Sequence, residues 1–237
     1  MDNRIDPAEV ADYYNAVKSV WPDNEPWYQH TIKEIDSFIR RHPFNINDVI
    51  LNAGCGDSKY QIHGFVYNVD IAEEKIKNKS NSMVSSIEQL PFDSHFFDGI
   101  VCVGSVINYC DPLKAISELS RVLRPHGKLI IEFESSASYE YFGTHIFSKD
   151  VELVFPTYQG HPHKIWVYSP DYIKMILNQF GFRVIKECYF HILSTLSYYF
   201  YRNEDKASKL AFLDPVARLI APIRKHGCNV IMECIKL

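Results

Sequence analysis

The stretch LNAGCGDS at residues 51–58 contains a G-x-G turn directly after a short apolar run. That run, residues 48–52, is typical of a strand buried in a parallel sheet. Because Gly54 and Gly56 lack side chains, the backbone there can approach a ligand closely. Asp70 ends the next apolar run and could accept hydrogen bonds from both hydroxyls of a ribose. An ordinary strand-to-helix turn with a helix-capping Asp70 would leave the same residues, so further motifs are needed.

Further apolar runs follow this turn along the chain, at residues 65–70, 99–103 and 128–133. Residues 112–123 lie between two of these runs and carry leucine and isoleucine at helical spacing, and a turn at residues 124–127 is expected to end this helix. Beyond them, residues 171–180 read as a helix, 182–188 as a strand and 229–235 as a last strand. Strands that alternate with helices predict an α/β fold with a doubly wound sheet.

Three less regular parts surround this pattern. The first 40 residues read as helices: a first one with a start near Pro7 that continues to Val20 and stops near Pro22, and a second from about Pro26 to Arg40. Residues 134–168 are rich in tyrosine and histidine and have no clean period, and residues 191–227 form a long insertion with an aromatic run at 198–201. The sequence shows no internal repeat, so we expect one domain over residues 1–237.

Composition narrows the class of protein. The chain has 237 residues, of which 46% are hydrophobic and 23% charged, as in globular domains. A net charge of -4 gives no reason to expect binding to nucleic acid. Six cysteines without a C-x-x-C pair favour reduced thiols. Residues 1–9 are polar and acidic, unlike a signal peptide, and no apolar run reaches the length of a membrane span. We therefore expect a cytoplasmic protein without a transmembrane segment.

Two more motifs give the turn a specific meaning. EQLPF at residues 88–92, followed by FFD at 96–98, precedes the third apolar run, and RVLRPHGKL at 121–129 leads into the fourth. In this order and spacing, the motifs resemble the class I S-adenosylmethionine (SAM)-dependent methyltransferases, in a subgroup common among small-molecule enzymes. The resemblance is good over about residues 45–135 and extends loosely to 190. It implies a Rossmann-like, seven-stranded sheet whose last strand is antiparallel, with N-terminal helices and a helical insertion before that strand.

The resemblance also divides the chain and implies roles for single residues. Residues 1–44 would form a helical cap, 45–135 the SAM-binding core and 136–237 the acceptor side. The cofactor SAM would be bound by residues in the turn, after the second and third strands and in the first helix, namely Asn52, Gly54, Gly56, Asp70, Ile71, Ser86, Ile87, Gly104 and Tyr14. The family usually has a carboxylate at the positions of Asn52 and Ser86. The neutral side chains in this sequence would bind SAM more weakly than carboxylates do. A nicotinamide-binding domain would instead need a third glycine where Lys59 stands.

The acceptor is not specified by these motifs. We expect methyl transfer to an oxygen or nitrogen of a small molecule, a sugar or a natural-product intermediate. A non-catalytic SAM-fold scaffold and an enzyme acting on a macromolecule are the alternatives. A hydroxyl acceptor needs a general base, and His145, His161 and His163 in the irregular segment are candidates. The pair His161 and His163 is too small a ligand set to predict a metal site. The oligomeric state is not indicated.

Overall fold

The computed structural model describes residues 5–237; residues 1–4 of the predicted helical cap lie outside the described residues. The strands are β1 (Val49–Ala53), β2 (Phe65–Asp70), β3 (Ser82–Val84), β4 (Phe97–Cys102), β5 (Leu123–Glu134), β6 (Val151–Val154), β7 (Thr157–Tyr158), β8 (His161–Pro162), β9 (Ile165–Tyr168), β10 (Phe182–Phe190) and β11 (Asn229–Lys236). The helices are α1 (Pro7–Ala16), α2 (Pro26–Arg41), α3 (Glu73–Ile76), α4 (Pro112–Val122), α5 (Pro170–Gln179), α6 (Ile192–Tyr201), α7 (Glu204–Ser208), α8 (Asp214–Ala217) and α9 (Ala221–Arg224). Short 3-10 turns span Val106–Tyr109, Tyr139–Tyr141 and Ala211–Leu213.

Seven of these strands form one sheet in the order β10-β11-β5-β4-β1-β2-β3. The five strands from β5 to β3 pair in parallel, whereas β11 runs antiparallel to both β5 and β10. This confirms the predicted doubly wound sheet with an antiparallel last strand. The smaller strands form two separate pairs, β6 with β9 and β7 with β8.

Two apolar cores cover the two faces of the sheet. In β1, Ile50 points to one face and packs against α2, while the neighbouring Leu51 points to the other, where α4 and α5 lie. The same alternation recurs in β4 and β5, as the two-residue period of a strand requires. Because both faces are buried, these strands read as continuous apolar runs in the sequence. The sheet therefore holds its loops at the carboxyl edge in fixed positions.

Several element bounds differ from those predicted. The first helix begins at Pro7, where Asp6 accepts a hydrogen bond from Ala8 N–H, and ends at Ala16 rather than near residue 20. The edge strand β3 was not predicted because all three of its residues are exposed, so that it carries no apolar pattern. The predicted turn at residues 124–127 is included in the long strand β5. Within residues 5–237, no helix is both long and apolar enough to cross a membrane.

Candidate functional site

The G-x-G turn lies at the carboxyl end of β1 and is tied to the end of β2. The N–H groups of Gly54 and Cys55 both donate to the carbonyl of Val69, at 2.8 and 3.0 Å, and Gly56 N–H donates to Asp70 Oδ2 at 2.7 Å. Gly54 and Gly56 have φ values of +67° and +47°, in the left-handed region that favours glycine. A Cβ on Gly54 would lie 2.4 Å from a methyl of Val106, so this close approach also requires glycine. The turn is a narrow backbone cradle.

A first cavity opens above this turn. Eight of the nine residues predicted to bind the cofactor line it: Gly54, Gly56, Asp70, Ile71, Ser86, Ile87, Gly104 and Tyr14. The ninth, Asn52, does not line it; the side chain is buried beneath the turn, where Nδ2 donates to Asn68 Oδ1 at 3.1 Å. At about 90 Å³ the cavity is narrow, since α1 covers it with Pro7, Val10 and Tyr14.

Asp70 is the acidic group of the first cavity. Its two oxygens accept hydrogen bonds from Gly56 N–H and, at 2.8 Å, from Ala72 N–H. Burial raises the pKa of this carboxyl, and the backbone donors oppose that rise. A carboxylate has about four lone-pair sites, so Asp70 retains acceptor capacity toward hydroxyl groups in the cavity.

Several contacts fasten α1 over the first cavity. Tyr14 and Tyr109 share a hydrogen bond between their hydroxyls at 3.0 Å. The ammonium of Lys75 in α3 donates to the carbonyl of Val17, the residue after α1. None of the residues of α1 is buried, so these polar contacts, rather than an apolar core, hold the helix.

A second cavity of about 690 Å³ adjoins the first. The two share part of their walls, namely Tyr14, Val20, Gly104 and Tyr109. Aromatic residues form a large part of the remaining wall, and the aromatic insertion contributes Tyr198 and Arg202. A ligand in the second cavity would therefore lie next to a ligand in the first, at the residues that line both cavities.

Glu134, at the end of β5, is a carboxylate of the second cavity. The hydroxyl of Tyr158 donates to its two oxygens at 2.8 and 2.9 Å. Burial and the nearby charge of Glu140 raise the pKa of Glu134 to about 8, against the smaller opposing effect of the Tyr158 hydrogen bond. The carboxyl is consequently able to exchange a proton near neutral pH.

The turn after β4 is held from below by a second glutamate. Glu132 is fully buried, and its Oε2 accepts from the N–H groups of Gly104 and Ser105 at 2.8 and 2.7 Å. Its other oxygen accepts from the Asn229 amide at 2.7 Å. Gly104 and Ser105 both have positive φ values, of +90° and +58°. Glu132 thus positions the backbone that borders both cavities.

The three candidate histidines occupy different environments. His145 is exposed and lies 3.9 Å from Glu152 on the surface, whereas His161 is exposed beside the ring of Tyr13. His163 is buried; its Nδ1 hydrogen-bonds with the Tyr109 hydroxyl at 3.0 Å, and Nε2 has no partner among residues 5–237. Burial, and to a lesser degree His161, lowers the pKa of His163 to about 4.

The structure thus brings His161 and His163 together but leaves His145 apart. None of the three lines either cavity as described. Only His163 touches the shared wall, through Tyr109. Among the described residues, no group of three or more His, Cys, Asp or Glu side chains is arranged to hold a metal ion.

The sequence analysis missed Glu134 and Lys75. Glu134 was placed at the start of an irregular segment, although its position directly after a buried strand signals the carboxyl edge where ligands bind. Lys75 lies in the four-residue helix α3, which is too short to give a helical period. Both residues line a cavity.

The residues that line the first cavity suit SAM, the cofactor that the resemblance implies. Gly54 leaves no room for a side chain, and Asp70 offers acceptors for ribose hydroxyls. Asp57, next to Gly56, has a buried oxygen, Oδ1, without a partner in the described chain, but Asp57 is not among the residues that line the cavity. The donor set and the backbone cradle are therefore consistent with the group.

Comparisons with known proteins relate part of the chain to methyltransferases. Residues 51–131 match the family model described as a methyltransferase domain. The ubiquinone/menaquinone biosynthesis C-methyltransferase UbiE of Serratia proteamaculans is 31% identical over 117 residues, which cover 46% of this chain and 41% of UbiE. The chain spans about half the length of the curated relatives it matches.

Solved structures share the fold along most of the chain. Geranyl diphosphate C-methyltransferase from Streptomyces coelicolor superposes with a TM-score of 0.61 at 13% identity, covering 98% of each chain. The [4+2]-cyclase SpnF superposes with a TM-score of 0.62 at 14% identity, covering 98% of this chain and 97% of SpnF. Since one of these proteins is named as a cyclase, the shared fold does not by itself determine the reaction.

Proposed function

We propose that this chain, which belongs to the class I SAM-dependent methyltransferase family, transfers a methyl group to a small molecule bound in the second cavity. The observation that carries this proposal is the shared wall between the two cavities. Tyr14, Gly104 and Tyr109 line both, so ligands bound in the two cavities could contact each other there. Exclusion of water and alignment are the main contributions a protein makes to such a transfer.

We assign the first cavity to the cofactor. Bound SAM supplies a methyl carbon already activated by a sulfonium. The backbone at Gly54 and Gly56 would pass beneath the ligand, and Asp70 would accept hydrogen bonds from its ribose hydroxyls. The other lining residues, Ile71, Ser86, Ile87, Gly104 and Tyr14, would surround the remainder. Asn52 would act indirectly, by supporting the turn from below.

We assign proton acceptance to Glu134 rather than to the three histidines. Glu134 lines the second cavity and its pKa of about 8 suits a general base near neutral pH. His163 would orient Tyr109 through their hydrogen bond. An oxygen or nitrogen acceptor, in a sugar or a natural-product intermediate, needs such a base whenever the accepting atom still carries its proton at neutral pH.

The cavity also bears on the alternatives. A volume of about 690 Å³ behind α1 suits a small molecule better than a segment of RNA or protein. The neutral residues Asn52 and Ser86 support the non-catalytic alternative, because the family usually carries carboxylates there. No disulfide joins the described cysteines, which agrees with the proposed cytoplasmic location.

Turnover of SAM over a panel of sugars, amines and phenols tests the proposal, with formation of S-adenosylhomocysteine as the signal. We expect turnover with at least one member and SAM binding in calorimetry. Failure of the native chain to bind SAM would overturn the assignment of the first cavity. Binding without turnover of any panel member would favour the non-catalytic alternative.

A further inference from the structure

The second cavity has an excess of acidic over basic side chains. Its described lining includes the carboxylates Glu25, Glu134 and Glu140 and one cation, Arg202. Arg202 does not neutralise Glu134, because its guanidinium lies over the rings of Tyr198 and Tyr199, at 5.9 and 5.5 Å. In the described part of the chain, no Lys, Arg or His lies within ion-pair distance of Glu134. Glu134, whose pKa is raised to about 8, ionises when a positive charge lies beside it, so this lining favours a positively charged ligand.

The aromatic wall points to the same charge. The cavity presents Tyr14, Tyr109 and Tyr158 together with Glu134, and Trp21 and Trp27 also line it. The faces of tyrosine and tryptophan rings attract organic cations, and the attraction is stronger where water is excluded. Arg202 on Tyr198 already shows one cation held this way at the same cavity. Carboxylate and rings together form a site for an ammonium group.

Resting on the function proposed above, we propose that the acceptor is a small organic amine, bound as its ammonium ion, with Glu134 as counter-ion and proton acceptor. The ammonium nitrogen must lose a proton before its lone pair can react. In that step one N–H bond breaks, an O–H bond forms on Glu134, and the nitrogen keeps the electron pair. The result is a neutral amine beside a protonated Glu134.

The surroundings of Glu134 make this transfer easier than transfer to an ordinary carboxylate. An alkylammonium has a pKa of about 10 and an exposed glutamate about 4.3. Burial disfavours the charged form of both groups, so it raises the pKa of Glu134 and lowers that of a bound ammonium, and the gap between the two values narrows. The groups that face Glu134 are Glu140, Glu132, Tyr158, Ser105, Tyr109 and Tyr14. None of these is a cation, so the incoming ammonium would supply the compensating charge.

Calorimetry with three matched probes tests the inference: tryptamine, its alcohol tryptophol and the anion indole-3-propionate. We expect tryptamine to bind at least about tenfold more tightly than tryptophol, because a charge-assisted hydrogen bond replaces a neutral one. Measured at pH 7 in two buffers of different ionisation enthalpy, tryptamine binding should release protons, because the ammonium ionises Glu134. Tryptophol should release none.

Two substitutions test whether Glu134 causes the preference for tryptamine and the proton release. Glu134→Gln should abolish both the preference for tryptamine and the proton release, whereas Glu152→Gln, on β6 and outside both cavities, should keep them. Equal, reversed or undetectable binding of the three probes to the native chain would overturn the inference, and this comparison needs no variant. Proton release that persists in Glu134→Gln would overturn the role of Glu134.

The two proposals fail in different ways. Turnover of SAM with phenols or sugars but with no amine would leave the proposed function standing and refute the amine acceptor. Absence of SAM binding would refute the proposed function whatever the probes do. Tryptamine selectivity together with SAM turnover on an amine would support both.

Discussion

Asn108 holds the main chain of Glu134 from both sides. Its Oδ1 accepts from Glu134 N–H at 2.9 Å, while its Nδ2 donates to the Glu134 carbonyl at 3.1 Å. The same Nδ2 donates to the carbonyl of Trp166 at 2.7 Å, which joins the end of β5 to β9. Asn108 is fully buried, so no water replaces these bonds. The amide side chain therefore fixes the position from which Glu134 enters the second cavity.

Asn108→Ala should lower the free energy of unfolding by about 3 kcal/mol, because it leaves buried backbone groups without partners. Urea denaturation measures the loss. Asn178→Ala, an exposed change at the end of α5, is the control and should cost less than about 1 kcal/mol. Equal losses in the two variants would show that the hydrogen bonds of the Asn108 side chain are not an important source of stability.

Asp70→Ala should weaken SAM binding by about 2 kcal/mol, roughly 30-fold, since the ribose hydroxyls would lose their acceptor. Calorimetry with the purified variant measures this affinity. Asp171→Ala removes a carboxylate that is 92% exposed on α5 and should leave SAM affinity unchanged. An unaltered affinity in Asp70→Ala would disprove the role assigned to Asp70.

Gly54→Ala should destabilise the protein more than Gly181→Ala does. Both positions have positive φ, at +67° and +81°, so both substitutions carry a backbone cost of about 1–2 kcal/mol. Only Gly54 adds a clash with Val106, because no atom lies within 4 Å of a Cβ at Gly181. Overpacking of this kind costs about 1–3 kcal/mol more. In denaturation experiments, Val106→Ala should recover part of that difference; no recovery would exclude the clash as its cause.

The raised pKa of Glu134 predicts a pH dependence of stability. Its folded-state pKa of about 8 exceeds the value of about 4.3 expected in the unfolded chain. The stability contributed by this group is thus complete below about pH 4 and is lost as pH rises toward 8, because the unfolded chain releases the proton first. Thermal melts should show Glu134→Gln declining less than the native chain between pH 5 and 8. Glu152→Gln should follow the native curve, and identical curves for all three proteins would contradict the raised pKa.

Turnover separates the candidate proton acceptors. Glu134→Gln should lower turnover by about 10²–10⁴-fold, the usual contribution of a general base, with SAM affinity nearly unchanged. His145→Ala and His161→Ala should stay near native, since both residues are exposed and outside the cavities. His163→Ala should have an intermediate effect through Tyr109. If a histidine variant shows the largest fall instead, proton acceptance belongs to that histidine.

The sequence was most informative about strands that carry an apolar pattern. The second strand was predicted with its observed bounds, Phe65–Asp70, because four of its six residues are apolar. The turn at Gly54 and Gly56 could be recognised because both positions have positive φ, which favours glycine. The edge strand β3 could not be predicted, since none of its residues is buried.

The acceptor side was the least predictable part of the site. Its wall is assembled from α1, the turn after β4, the end of β5, β7 and α6, elements far apart in the chain. No local pattern reports that Tyr14 meets Tyr109, or that Tyr158 meets Glu134. Histidines were chosen for their ordinary pKa, whereas burial lowers that of His163 and raises that of Glu134.

The position of β11 has a consequence for biosynthesis. The last strand lies between β5 and β10, so each of these neighbours lacks one hydrogen-bonding partner until β11 is added. A ribosome delivers β11 after every other described element, and its contacts with β5 join residues about a hundred positions apart. During synthesis the nascent chain therefore carries an open β5 edge, a template for pairing with another chain. Slow translation before residue 229 would prolong that exposure, whereas a chaperone covering the edge would shorten it.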